Sequence, residues 1–547
     1  VESDSTAQPA DEDDSSTWKN DLISGFLVFL IALPLCLGIS MASGFPPLAG
    51  ILTAVIGGLV STWLGSARLT IKGPAAGLIV IALGAVQELG GGDMRLGYRR
   101  ALATIAVAAV VQILFALFRA GTLGDFFPSS VVQGMLAAIG VVIFAKQAHS
   151  LLGVTPSAKD SLALLEEIPH SLAQLNPPIT LIGVLSLVIL FGHPYLGGRL
   201  AWLKRVPAPL LVLLVAVSLG FAFDLDNAHT YTLGLTGAAH ALGPQFLVNL
   251  PDNFLSVITF PDFSAVFSAT SLKYIAMFAI VGSIESLLIT KAVDSLDPEK
   301  RRSDLDKDLL ALGVGNLTAG LLGGLPMISE IVRSSASIGY GAKSRLSNFF
   351  HGLFLLLFVA FAPALIHRIP LAALAAMLIY TGVRLASPSA FVRTFRIGPE
   401  QLFLFSVTLV TTLATDLLVG VITGVVVKLA LHLVNGATMR GLFQPFIVEH
   451  ESDGRVVLRV GHAAVFSNYL GLKKRLARFP QAREVVIDLS RARLVDHTVM
   501  ERLRALQDEF GQEHRHLELR GLDRHRRLSA HPLAARKKPG PRFKPSS

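Results

Sequence analysis

The chain is poor in charge and has almost no cysteine. Asp, Glu, Lys and Arg make up 16% of its 547 residues, against roughly 25% in a soluble globular domain. The single cysteine, Cys36, excludes an intrachain disulfide, and nothing asks for an oxidising compartment. No His, Cys, Asp and Glu cluster has metal-ligand spacing. No nucleotide-binding loop, nucleophile triad or nucleic-acid module is in view, which argues against an enzyme and against a nucleic-acid partner. What the chain has is apolar sequence: 52% of its residues are hydrophobic and its mean hydropathy is +0.57. That combination is the mark of a polytopic membrane protein, with the lipid bilayer as its surroundings. Val1 to Thr17 is acidic and polar, unlike a secretory signal, and is expected to be part of a disordered tail over residues 1–19.

A helix needs about 20 apolar residues to cross a bilayer. Apolar segments begin near Leu22, Phe45, Pro74, Tyr98, Phe127, Pro178 and Pro207, and again near Leu272, Leu309, Pro326, Leu346, Pro370, Gln401 and Leu417. Two sets of seven result, separated by a polar loop over 225–270. Lys and Arg in short loops set the orientation. With a cytoplasmic N-terminus, the inward loops hold Arg68 and Lys72, then Arg119, then Arg199, Lys204 and Arg205, and later Lys343, Arg345, Arg384, Arg393 and Arg396. The polar loop, free of Lys and Arg between Arg205 and Lys273, falls outside. Arg95, Arg99 and Arg100 oppose this assignment, but the balance places both termini in the cytoplasm, at a bacterial plasma membrane.

Seven spans per set invert the second set relative to the first, an inverted repeat. The third segment of each set is short and opens on Gly and Pro: "IKGPAAGLIVIALGAV" from Ile71 and "GGLPMISEIVRSSASIGYGAKS" from Gly323. Proline can start a helix but cannot continue one from behind. Each segment is therefore expected to be an extended entry and then a half-helix, starting at Pro74 and at Pro326. A half-helix puts free N–H groups and roughly +0.5 elementary charge at mid-membrane. Two such ends facing each other form an anion site. Its expected lining is Ala75, Ala76 and Gly77, small enough for a ligand to reach the backbone, with Ile328, Ser329, Ile331 and Arg333 on the other arm. "GPAAG" alone also suits a helix-packing face; the matching segment in the second half favours the site.

These broken segments, with "GSIESLLITKAVDSLD" (Gly282 to Asp297), "GNLTAGLLGGLP" (Gly315 to Pro326) and "IPLAALAAMLI" (Ile369 to Ile379), resemble the SulP family of anion transporters. The resemblance implies an α-helical polytopic protein of about fourteen spans in a seven-plus-seven inverted repeat, with core and gate domains, and usually a homodimer. It also implies a small cytoplasmic α/β STAS domain. Independently, "RVVLRVGHAAVF", "EVVIDLS" and "HLELRGL" read as strands and "HTVMERLRALQDEF" as an amphipathic helix. The expected domains are a transporter over 20–435 (repeats 20–224 and 271–435), STAS over 436–530 and a basic tail over 531–547. In STAS proteins an Asp-x-Ser/Thr turn can be phosphorylated, which makes Thr498 a regulatory candidate and leaves room for STAS-domain protein partners; as a simple reading, Asp496 or Thr498 caps the next helix.

Ionisable residues inside spans are costly and usually functional. Glu285, within "AIVGSIESLLI", and Glu330 are the candidates for cation coupling. Glu330 and Arg333, three apart, share a helix face and can pair. By resemblance, a carboxylate at Glu285 faces the substrate and in sodium-coupled bicarbonate permeases helps hold the cation; Ile289, where some relatives have a hydroxyl four residues on, weakens a Na⁺ site. No cofactor is expected beyond Na⁺ as a co-transported ion. Family substrates include bicarbonate, sulfate, chloride and dicarboxylates. Bicarbonate uptake coupled to Na⁺ or H⁺ is the first expectation, sulfate or dicarboxylate transport the second, and a passive channel or exchanger, or a STAS-centred signalling module, the remaining ones.

Overall fold

The computed structural model describes residues 14–122, 127–158, 161–199, 206–232, 239–249, 258–415, 417–452, 455–476, 478–479, 482, 484–512 and 515–539. The first repeat contains α1 (Asp14–Ala42), α2 (Pro47–Leu59), α3 (Ser61–Leu64), a short strand β1 (Lys72–Pro74), α4 (Ile79–Gly90), α5 (Met94–Leu117), α6 (Ser129–Leu151), α7 (Ser161–Ala173), α8 (Pro177–Arg199) and α9 (Ala208–Ala222). A hairpin of β2 (His229–Thr232) and β3 (Ala239–Leu242) stands in the polar loop. The second repeat contains α10 (Ala269–Leu296), α11 (Leu305–Leu322), β4 (Met327–Ser329), α12 (Ile331–Gly339), α13 (Leu346–Phe361), α14 (Pro363–His367), α15 (Leu371–Leu385), α16 (Pro388–Ile397), α17 (Pro399–Ala414) and α18 (Leu417–Val434). Among the described residues, eight helices are long and apolar enough to cross a membrane, and four apolar ones are shorter, Ala76–Gly90 among them.

The contacts divide the chain into two compact units, residues 1–121 with 140–384 and residues 122–139 with 385–547. The division does not fall at residue 435: α16, α17 and α18 belong with the C-terminal sheet rather than with the first unit. The described part of the expected N-terminal tail is also ordered, because α1 already begins at Asp14; residues 1–13 lie outside the described residues.

In the first unit, helices touch through glycine. A Cβ on Gly58 would lie 2.6 Å from the Gly352 Cα and 2.8 Å from the Asn348 carbonyl oxygen, so α2 and α13 meet backbone to backbone, the small-residue contact that membrane helices favour. Helix starts are capped from the sequence: Asp93 accepts the Arg95 and Leu96 N–H groups at 2.9 and 3.1 Å, and Asp304 accepts those of Asp306 and Lys307. Gly323, at φ 103°, ends α11 in a left-handed turn that a side chain would resist.

The two broken segments meet as an antiparallel pair, with Lys72 opposite Ser329, Gly73 opposite Ile328 and Pro74 opposite Met327. The Ala75 N–H donates to the Pro326 carbonyl at 3.2 Å and the Glu330 N–H to the Ile71 carbonyl at 2.8 Å, one bond beyond each end. The crossing thereby satisfies backbone that a bilayer would leave bare. An antiparallel pair has a twofold relation of its own, which suits two inverted repeats. The two arms differ in register. In the first, Pro74 ends the strand and helical turns begin at Ala76. In the second, Pro326 precedes the strand and the helix begins at Ile331, not at Pro326. The residues after Pro326 must supply strand pairing before the chain can turn helical.

In the second unit, α19 (Met439–Phe443) leads to β5 (Phe446–Ser452), β6 (Arg455–Ala464), α20 (Tyr469–Leu476), β7 (Glu484–Val495), α21 (His497–Gln512), β8 (His516–Arg520), β9 (Arg526–Arg527) and β10 (Arg536–Lys537). β6 and β8 flank β7 in parallel, β5 pairs antiparallel with β6, and β10 pairs antiparallel with β7 and β9. Leu458, Ile487, Leu489, Val499 and Leu503 anchor the core of this α/β domain. The basic tail expected from residue 531 is corrected at its start: Arg536 and Lys537 are a strand opposite Val495 and Leu494, and Arg536 donates to the Leu522 and Pro532 carbonyls. Residues 540–547 lie outside the described residues.

Candidate functional site

The β1–β4 crossing gathers charge in the interior of the first unit. Lys72, assigned by sequence to an inward loop, is instead buried in β1 and paired with Asp308 of α11 at 2.9 Å. The Thr290 hydroxyl donates to the other Asp308 oxygen at 2.9 Å and contacts the Ser329 hydroxyl at 3.1 Å, and Ser286 donates to Ser329 at 3.1 Å. Asn348 of α13 accepts the Lys72 N–H at 3.1 Å and donates to the Gly57 carbonyl and the Thr62 hydroxyl. Each of these side chains has a partner, as a buried polar network requires. It braces the crossing.

The other side is unsatisfied. Arg333 is fully buried; its Nε, Nη1 and Nη2 find no oxygen or nitrogen partner among the described residues, and the Cys36 thiol beside them is only a weak acceptor. A Cβ on Gly73 would strike Arg333 Nη1, so only glycine lets the guanidinium lie against β1. Cys36, Glu330 and His351 are within electrostatic reach of it. His351, fully buried on α13, also has both ring nitrogens without partners among the described residues. Glu285 is 8% exposed, and its carboxylate sits directly over Gly77, where a Cβ would collide with it. Its Oε2 and the Oε1 of Glu330 are buried without partners among the described residues. Glu330 occupies the N-cap position of α12 but does not cap that helix; its carboxylate instead accepts the Ala76 N–H at the start of the opposite half-helix. Five buried nitrogens and two buried oxygens without partners are far from the native habit of satisfying such groups. They describe a place for a charged, hydrogen-bonding ligand.

The residues expected at the site separate accordingly. Ala76, Gly77, Glu285 and Glu330 come together at the start of the first half-helix, with Arg333 behind the crossing. Ala75 is buried and its N–H is spent on Pro326, and Ala76 N–H is held by Glu330, so two of the expected backbone donors are engaged. Ile328 is buried in the strand pair. The Ser329 hydroxyl is committed to Ser286 and Thr290. Ile331 turns to an apolar cluster of Leu69, Val293 and Ala342, where Ile289 also packs; it is a packing residue because the helical turn from Arg333 places it on another face. The direct Glu330–Arg333 pair also fails to form, since no nitrogen of Arg333 has a carboxylate partner among the described residues. Lys72, Asp308 and His351 were missed. Ser347, Asn348 and His351, all on one face of an apolar helix, were the available signal.

In the second unit, Thr498 is fully buried, its hydroxyl without a partner among the described residues. Asp496 is the cap: it accepts the Val499 N–H at 2.7 Å and the Phe466 N–H at 3.1 Å. His432 of α18 places Nε2 3.3 Å from Asp496 Oδ2, and Lys428, one turn earlier, is buried against Glu400 at 3.0 Å. Burial alone would raise Asp496, but the His432 side chain, the Lys428 charge and the Val499 N–H prevail and hold its carboxyl below the usual carboxylate range.

Comparison with known proteins places this geometry. The model of the sulfate permease family matches residues 18–408. The chain belongs to that family. It is 29% identical over 410 residues to the putative sulfate transporter YvdB of Bacillus subtilis, covering 74% of this chain and 72% of that protein. It is 27% identical over 412 residues to the bicarbonate transporter BicA of a Picosynechococcus strain, covering 75% and 69%. The solved structure of SLC26A9 superposes with a TM-score of 0.64 at 15% identity, covering 92% of this chain and 84% of that one, a likeness of fold. The family is one of anion transporters embedded in membranes, and the chain is a transporter rather than an enzyme.

Proposed function

We propose that this protein is a secondary transporter that takes up bicarbonate together with a proton by alternating access, as a homodimer in a bacterial plasma membrane with both termini cytoplasmic. The set of unpartnered charges at the crossing carries the reading. The two half-helix ends supply about +1 together, and Arg333 adds one. With Glu285 and Glu330 ionised the site is close to neutral, and a monovalent anion would leave it negative. A cation on Glu285 restores the balance. Na⁺ wants several oxygen ligands; Ile289, one turn along from Glu285, is apolar and packed into its cluster, so a proton suits this carboxylate better. The likeness to BicA supports bicarbonate, and the somewhat greater identity to YvdB supports sulfate as the second reading.

The test is radiolabelled uptake into proteoliposomes, comparing bicarbonate, sulfate and succinate with imposed proton or sodium gradients. Bicarbonate accumulation driven by an inward proton gradient is the expected result. Accumulation of sulfate alone decides for the second reading, sodium dependence moves the coupling to Na⁺, and purely passive flux refutes coupled transport.

A further inference from the structure

Glu330 is unusual even for this site. It is an acid placed at the meeting of two helix N-termini, where a transported anion would be expected to find only donors. One oxygen is held by the Ala76 N–H of the opposite arm, while Oε1 is buried and has no partner among the described residues. Beside it, the nine-tenths-buried Glu285 aims a second unpartnered carboxylate oxygen into the same corner over Gly77. Arg333, buried three residues along the chain, places its positive charge within reach of Glu330 and so works with the Ala76 N–H for an ionised Glu330 against the desolvation of the site. An ionised carboxylate only accepts hydrogen bonds. Sulfate, chloride and nitrate also only accept at neutral pH, so they leave Oε1 unpaired and facing like charge. Bicarbonate carries an O–H.

We propose that Glu330 is the specificity-determining residue of the site: its free oxygen accepts the hydroxyl proton of the transported anion and selects oxyanions that bear one. The inference rests on the bicarbonate reading above and gives the two carboxylates different work. Glu285 takes the coupling proton; Glu330 stays charged and reads the proton that belongs to the substrate. The charges then agree. The helix ends contribute about +1, Arg333 and Glu330 cancel, a protonated Glu285 is neutral, and one monovalent anion completes the site. A pocket that hydrogen-bonds a substrate hydroxyl rejects the analogue lacking it much more strongly than an apolar pocket rejects a change of size.

Nitrate is the discriminating probe, because it matches bicarbonate in charge, planarity and number of oxygens and differs by the proton. Inhibition of radiolabelled bicarbonate uptake in proteoliposomes is measured with unlabelled bicarbonate, nitrate and formate. Nitrate and formate are expected to inhibit about 10- to 100-fold more weakly than bicarbonate, the effect of one buried unpaired acceptor. Glu330→Gln, whose amide donates, should bring nitrate to within about threefold of bicarbonate. Glu330→Asp, which keeps the acceptor, should retain a preference for bicarbonate. Equal inhibition by nitrate and bicarbonate in the native protein overturns the inference and leaves bicarbonate transport standing, and needs no variant to fold. An unchanged ratio in a monodisperse Glu330→Gln protein overturns it as well. Absence of bicarbonate uptake in the native protein removes the transport reading itself, and with it this assignment.

Discussion

Replacing Gly77 by alanine separates the fold from the coupling. The added carbon would lie 2.5 Å from Glu285 Cδ and would overlap both carboxylate oxygens. Ordinary carbon–carbon contact is about 3.5 Å, so the carboxyl must withdraw by about 1 Å. The three atoms nearest the added carbon all belong to the Glu285 carboxyl, the far end of a flexible side chain, which can make that move. The cost to stability is therefore at the low end for overpacking, about 1 kcal/mol. The cost to function is larger, because a reacting group displaced by about 1 Å can lose about 100-fold in rate. Gly58→Ala is the contrast. There the same methyl meets Gly352 Cα and the Asn348 carbonyl, backbone on a neighbouring helix, and the helices themselves must part. In detergent, Gly77→Ala should stay monodisperse and melt close to the native protein, while Gly58→Ala should be poorly recovered. In proteoliposomes, Gly77→Ala should lose proton-driven bicarbonate accumulation. A well-folded Gly77→Ala protein that accumulates substrate at the native rate with the native proton dependence would refute the placement of Glu285 over this glycine.

Three other outcomes are expected. Asp308→Asn leaves Lys72 buried without its counter-charge and should destabilise the protein by about 3–5 kcal/mol, whereas Lys72→Met with Asp308→Leu should recover much of the loss; thermal unfolding in detergent reads both. Arg333→Lys should keep much more anion affinity than Arg333→Ala, measured by uptake at varied substrate concentration, and equal loss in the two variants would show that the planar guanidinium rather than its charge is needed. Glu167, held down to about 2 by the backbone N–H groups of Ser157 and Ala158 and the Ser157 hydroxyl, has a folded-state pKa below its ordinary value. Its contribution is therefore complete above the ordinary value of 4.5 and fades as pH falls through about 2; hydrogen exchange at Ser157 and Ala158 should be faster in Glu167→Gln at neutral pH and converge with the native protein in strong acid.

The architecture was legible because its signals are local. Apolar runs, Gly-Pro entries and two sets of seven segments lie in the order of the chain, and the α/β domain announces itself by alternating patterns. The site was legible only by type. Glu285, Glu330 and Arg333 stand out as charges in apolar sequence, but their partners are set by tertiary contacts that no period encodes. Lys72 and Asp308 are 236 residues apart, and read in isolation Lys72 is a loop charge. Glu330 and Arg333 have ideal spacing for an ion pair, yet the strand pairing turns one toward Ala76 and the other toward Gly73. The helix start after Pro326 was misplaced for a related reason: proline marks where a helix can begin, and the demand for three strand residues opposite β1 comes from the other half of the chain.

The crossing is symmetric in backbone and asymmetric in side chains, and that asymmetry is what makes it a site rather than a joint. The first arm contributes glycine where the second arm and α10 contribute charge: Gly73 admits the Arg333 guanidinium and Gly77 admits the Glu285 carboxylate. Equal arms of small residues would offer two positive helix ends and no means of telling one anion from another or of linking its passage to a cation. Equal arms of large residues could not approach closely enough for the strand pairing that holds irregular backbone at membrane depth. With one arm made small, the satisfied network of Lys72, Asp308, Asn348 and Ser329 can fix the crossing from one side. The groups left unsatisfied on the other side are then held in place by a rigid frame, and under the proposed function their partners are the ligand and the coupled ion.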